Sequence, residues 1–139
     1  MIYLGLDLGS KTLGLSISDK TCTIASPLDV IRYENEEELF NSLDKIVLER
    51  KVDAFVLGNP KNLDGSLSKR SELTLEFRDK LISKFNKEVI MQDERLSTVE
   101  AERMLINNNT KRKNRKKVID KIAATIILQA YLDRRNNER

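Results

Sequence analysis

The segment IYLGLDLGSKTLGLSIS (residues 2–18) decides the fold. Ile2, Leu4, Leu6 and Leu8 fall on one face of an extended chain, and Tyr3, Gly5 and Asp7 on the other, the period-2 pattern of a strand. Gly9, Ser10, Lys11 and Thr12 read as a turn. Alternation resumes from Leu13 to Ser18, so the two strands form a hairpin.

Working outward, Pro27 precedes a third apolar stretch, Leu28 to Tyr33. A helix follows over about 35–50, with Leu39, Phe40, Leu43, Ile46, Val47 and Arg50 at helical spacing. Asp53 to Gly58 reads as a short buried strand, and NPKNLDGS (residues 59–66) as a loop. Leu73, Phe77, Leu81 and Phe85, four apart, mark a second helix over Leu67 to Phe85, and Glu88 to Asp93 is the last strand. Ser97 and Glu100 form a capping box opening a short helix, which Asn107, Asn108 and Asn109 end. A final helix covers about 115–135. The order β-β-β-α-β-α-β-α-α predicts an α/β fold. Its mixed five-stranded sheet has a three-strand antiparallel meander plus parallel crossovers, flanked by helices on both faces. Residues 1–139 are expected to form a single domain.

Three acidic residues edge apolar segments: Asp7, Glu94 in VIMQDERLST, and Asp120 in VIDKIAATIILQAYLD. Each has an ordinary explanation: a turn aspartate for Asp7, a surface ion pair for Glu94, and a favourable charge near a helix start for Asp120. On the helical wheel, Ile119, Ile122, Ala123, Ile126 and Ala130 form the expected buried stripe, with Asp120 on its flank beside Ala124, Ile127 and Tyr131. Asp7 and Glu94 both fall at the carboxyl ends of strands, where open α/β sheets place their functional crevice. Half-buried carboxylates need a partner, and one cation shared by all three resolves the cost. The chain has no histidine, so the cation expected is hard and oxygen-liking, Mg²⁺ or Mn²⁺, one ion or two. Such a centre suits hydrolysis of phosphodiesters, with Asp93 or Ser10 as further oxygen donors.

The charge pattern points the same way. KRKNRKK (residues 111–117) carries six positive charges, and setting those aside leaves 19 basic residues against 22 acidic ones. A mildly acidic body with one basic strip suits local docking of a polyanion. Lys111, Arg112, Lys113, Arg115, Lys116 and Lys117 are therefore candidate phosphate contacts, as is Lys11 in the hairpin turn. A solvated charge run is the plainer alternative. The few aromatics, three Tyr and four Phe, fall in core patterns, which disfavours a base-stacking single-strand binder. One cysteine, Cys22, cannot form an internal disulfide. With no apolar run of spanning length, this leads us to expect a cytoplasmic protein with no membrane partner.

GLDLGSKTLGLSISD, GNPKNLDGS, DERLSTVEAE and VIDKIAATIILQAYLD occur in an order and spacing that resemble the YqgF (RuvX) family, from residue 2 to about 133. The resemblance implies a ribonuclease H-like fold and a metal-dependent nuclease, with Asp7, Glu94 and Asp120 matching the family's acidic triad. It implies maturation of the 5′ end of the 16S ribosomal RNA precursor, with ribosomal assembly intermediates as partners. Holliday junction resolution is the alternative. Two positions depart from the family pattern: Thr12 stands where arginine is usual, and Ser68 where glycine is common. Cutting both strands of a junction needs paired sites. The chain is expected to be a monomer or weak homodimer. A non-catalytic RNA-binding assembly factor is a further reading. The hairpin also resembles that of sugar kinases and related ATPases, but those need a second lobe to enclose a nucleotide.

Overall fold

A computed structural model describes residues 1–60, 69–93 and 112–137. Its strands are β1 (Tyr3–Leu8), β2 (Thr12–Ser18), β3 (Ala25–Arg32), β4 (Ala54–Asn59) and β5 (Glu88–Asp93). Its helices are α1 (Glu36–Arg50), α2 (Lys69–Phe85) and α3 (Arg112–Asn137). The sheet order is β3-β2-β1-β4-β5, antiparallel through β1, β2 and β3 and parallel from β1 to β4 and β5.

Alternation in β1 divides the core as the sequence predicts. Leu4 and Leu6 join Leu13, Leu15, Phe55 and Leu57 against Leu39, Phe40 and Leu43 of α1 and Phe77 and Leu81 of α2. Tyr3 on the opposite face packs with Ala54 and Val56 against Ile127, Leu128 and Leu132 of α3. Helices thus cover both faces, and β1 lies at the sheet centre with Asp7 near its carboxyl end.

Three local expectations are corrected. The third strand begins at Ala25, ahead of Pro27. Proline is tolerated because β3 is an edge strand and a register shift opposite Leu15 and Ser16 absorbs Leu28 as an extra residue. In α2, Leu73 is 59% exposed, while Ser71 and Thr74 are buried. Ser71 donates its hydroxyl to the Pro60 carbonyl, so a polar clasp to the end of β4 replaces the apolar stripe there. The last helix starts at Arg112, not near 115, and takes most of the basic strip into its first turns. The short helix expected after Ser97, the loop from Lys61 to Ser68 and the Asn107–Asn109 run lie outside the described residues. No helix among the described residues is long and apolar enough to cross a membrane.

Candidate active site at the carboxyl end of the sheet

Asp7 is the second-last residue of β1, on the face that α3 covers, and only 9% of it is exposed. Among the described residues its buried Oδ1 has no hydrogen-bond partner. Leaving such an acceptor unmade costs about 1–3 kcal/mol, more for a charged group. A core aspartate kept on those terms is unexplained by packing.

The cross-strand partner of Asp7 is Gly14 in β2. A Cβ at Gly14 would stand 2.8 Å from the Asp120 carbonyl carbon and 3.3 Å from the Asp120 Cβ. The turn of α3 that carries Asp120 is therefore pressed onto the sheet beside Asp7, at a spot only glycine leaves open. Further along, Gly5 makes the same allowance: a Cβ there would lie 2.8 Å from Leu128 Cβ and 3.0 Å from the Ala124 carbonyl oxygen. Ser16 Oγ donates to that Ala124 oxygen at 2.7 Å, inside the core. Small residues on β1 and β2 thus form a groove that seats α3.

The seating corrects the helical wheel. Ala123, Ala124, Ile127, Leu128 and Leu132 are buried, whereas Ala130 is exposed. Residues 122–132 are apolar on nearly every side, so periodicity leaves the rotation loose; the glycine groove fixes it around Ala124. Asp120 then falls in line with the buried face rather than on its flank, and is itself half-buried. The far end of α3 is anchored separately. Gln129 Oε1 accepts from the Ala25 N–H at 2.9 Å, its Nε2 donates to Thr23 O at 2.9 Å, and Asn136 Nδ2 donates to Cys22 O at 3.0 Å.

Sequence reasoning missed two further polar groups at this end of the sheet. Asn59, last in β4, and Gln92 in β5 each bury a side-chain oxygen that has no partner among the described residues. Period 2 applied to VIMQD would have placed Gln92 on the same face as Ile90. Lys11 sits in the hairpin turn, which is braced by Tyr33: its N–H donates to Lys11 O at 3.1 Å and its hydroxyl to Gly9 O at 3.2 Å. The Lys11 ammonium lies 3.6 Å from Glu34 in an exposed ion pair, and it lines an open cleft of about 310 Å³ with Ser10, Arg32, Tyr33 and Glu38. Such an exposed pair is worth under about 1 kcal/mol.

Glu94 and Lys111 lie outside the described residues. Of the basic strip, the backbone of Arg112, Lys113, Arg115, Lys116 and Lys117 forms the first turns of α3. Among the described residues no three of His, Cys, Asp and Glu gather to hold a metal ion. Asp7 and Asp120 are the two candidates brought to one place. An all-oxygen donor set with a buried, unpartnered carboxylate oxygen suits a hard divalent cation.

A family model described as RuvX, Holliday junction resolvase, matches residues 1–134. A relative from Geobacillus thermodenitrificans is 48% identical over 135 residues, 96% of this chain and 98% of that one. Another, from Streptococcus agalactiae, is 47% identical over 137 residues, 96% and 99% of the two chains. Both carry the name "Putative pre-16S rRNA nuclease". Among solved structures, Thermus thermophilus RuvC in complex with a Holliday junction substrate superposes with a TM-score of 0.57 at 14% identity, over 98% of this chain and 96% of that one. The Fowlpox virus Holliday junction resolvase gives 0.56 at 16% identity, over 96% and 99%. That likeness is one of fold, the ribonuclease H-like α/β architecture. With nearly the whole length matched by the model and by relatives close to half identical, the chain belongs to the RuvX family.

Proposed function

We propose that this chain is a divalent-metal-dependent endonuclease that hydrolyses phosphodiester bonds of structured nucleic acid, and that its substrate is the 5′ end of the 16S ribosomal RNA precursor. The observation that carries the reading is the buried, unpartnered Asp7 Oδ1 beside the turn of α3 that bears Asp120. The name carried by relatives at 47–48% identity supports the RNA substrate.

Asp7, Glu94 and Asp120 are the residues proposed to hold Mg²⁺ or Mn²⁺, one ion or two. Bound there, the metal would activate water and neutralise charge at the scissile phosphate. The chain's own contribution is rigidity and placement. Asp7 stands on the central strand, paired on both sides of β1, and Asp120 on a helix locked by Gly14, Gly5 and Ser16. Carboxylates held this way need little reorganisation when charge develops.

The start of α3 supplies the polyanion contact. Helix N-termini disfavour cations, yet the first turn of α3 holds no acidic residue and the strip fills it with lysine and arginine. Helix stability does not account for that choice; a phosphate backbone does. At about 1.5 Å rise per residue, Lys117 to Arg112 extend roughly 5–12 Å along the helix beyond Asp120. Together with Lys111 and Lys11 they would hold substrate on either side of the carboxylates, giving affinity more than sequence preference. Ribosomal assembly intermediates in the cytoplasm are the partners this reading implies, for a monomer or weak homodimer.

A second reading, Holliday junction resolution, draws on the family description and on the junction-bound fold neighbour. It requires two active sites in one assembly. Incubating the protein with a folded 16S precursor fragment and with a four-way DNA junction, in Mg²⁺ and in Mn²⁺, separates the two. Cleavage of the RNA alone supports the first reading. Paired nicks in the junction with intact RNA favour the second, and no cleavage of either contradicts both.

A further inference from the structure

On the face covered by α3, three neighbouring strands end in Asp7, Gly58 and Gln92. Gly58 of β4 pairs with Gln92 of β5, and Asp7 of β1 lies one step beyond the last pair between β1 and β4, Leu6 and Leu57. Ala54 and Val56 of β4 and Ile90 of β5 pack against α3, so by alternation Gly58 and Gln92 share the face of Tyr3 and Asp7. Asp7 and Gln92 therefore flank a position that carries no side chain.

Both present a buried oxygen without a hydrogen-bond partner among the described residues, Asp7 Oδ1 and Gln92 Oε1. Two unpartnered acceptors cannot satisfy each other. Each forgoes about 1–3 kcal/mol as it stands. Two strand spacings put their Cα atoms about 10 Å apart, within the combined reach of an aspartate, a glutamine and a bound cation. What relieves two such acceptors in one row is a positive centre within reach of both, and amide oxygens are ordinary ligands of hard cations.

We propose that the Gln92 carboxamide oxygen is an uncharged ligand of the cation that Asp7 holds, reached across Gly58 directly or through one water. The inference rests on the reading of Asp7 as a metal ligand and adds a donor from β5 that no acidic pattern reveals. A neutral oxygen lets the site gain coordination without adding to the repulsion among its carboxylates. It also gives β5 a part in the site at a residue that precedes Asp93 and Glu94.

The test is Mn²⁺ binding to the full chain, by calorimetric titration and by loss of the free-ion electron paramagnetic resonance signal, without substrate or turnover. Gln92→Met keeps the length of the side chain and removes the oxygen; Gln92→Glu keeps the oxygen and adds charge. Asp7→Asn is the reference for the site itself. The proposal expects Mn²⁺ affinity to fall about tenfold in Gln92→Met and to hold or rise in Gln92→Glu, with metal-free melting of Gln92→Met no lower than that of the parent. Unchanged affinity in Gln92→Met, while Asp7→Asn loses binding, overturns the role of Gln92 and leaves the site standing. Undiminished binding in Asp7→Asn overturns the site, and this inference with it. A Gln92→Met protein that melts lower without metal and binds Mn²⁺ as before shows a packing residue, which also overturns the proposal.

Discussion

Replacing Gly14 with alanine tests whether the seating of α3 sets the site. The new Cβ would meet Asp120 C at 2.8 Å and Asp120 Cβ at 3.3 Å. Carbon pairs rest at about 3.5–4.0 Å, so the Asp120 turn must retreat by roughly 1 Å. Overpacking of this kind costs about 1–3 kcal/mol, several degrees of melting temperature for a chain of this size. A displacement of about 1 Å in a group that positions the reaction can cost about 100-fold in rate. Gly5→Ala is the control, because its Cβ meets the Ser16 hydroxyl, which donates to Ala124, and then Leu128 and Ala124 themselves, one to two helical turns from Asp120. Both variants should melt lower than the parent. Cleavage, measured at a temperature where both remain folded, should drop about 100-fold in Gly14→Ala and much less in Gly5→Ala. Gly14→Ala with parental melting and cleavage would refute the close approach. Equal losses in the two variants would refute its link to Asp120.

Two other outcomes follow from features away from the carboxylates. The Ile24 N–H, then the Thr21 hydroxyl and the Thr23 N–H, hold the Asp19 carboxyl down to about 2 from an ordinary 3.8. Its folded value is depressed, so the stability it lends to the turn between β2 and β3 is present above pH 3.8 and is lost as pH falls through about 2. Asp19→Asn should flatten that part of the acid-melting profile, and profiles that superpose between pH 4 and 2 would contradict it. Changing Lys113, Arg115 and Lys116 to glutamine should weaken nucleic-acid binding and make log K less steep against log salt by about 2–3. A slope identical to that of the parent would mean the strip does not meet the substrate.

Residues 2–18 announced β1, β2 and their facing correctly because strand alternation is strict: each side chain has only two directions available. The helix from Glu36 to Arg50 was equally plain, and Leu39, Phe40, Leu43 and Val47 are buried as its spacing requires. Helix rotation was less legible where composition gave no contrast. The apolar run of α3 fits several orientations, and the one adopted depends on Gly5, Gly14 and Ser16, over a hundred residues away. In α2 the four-residue spacing drew Leu73 inward, whereas the end of β4 offers the Pro60 carbonyl, which a hydroxyl satisfies and leucine cannot. Asp7 and Asp120 were recognisable as acids at the edges of apolar segments. Their approach to one another rests on a glycine whose purpose shows only when β2 and α3 are seen together. Gln92 and Asn59 carry no signal in the sequence, because an uncharged amide in a strand is ordinary; what marks them is an oxygen with no partner among the described residues.

The most direct measurement is Mg²⁺-dependent cleavage of a folded 16S precursor 5′ fragment by the parent chain and by Asp7→Asn, with RNA affinity recorded for both. Specific cleavage by the parent, abolished by chelation, is expected, with at least a 100-fold loss in Asp7→Asn and RNA binding retained. Cleavage by Asp7→Asn at the parental rate, or parental cleavage indifferent to chelator, would contradict it.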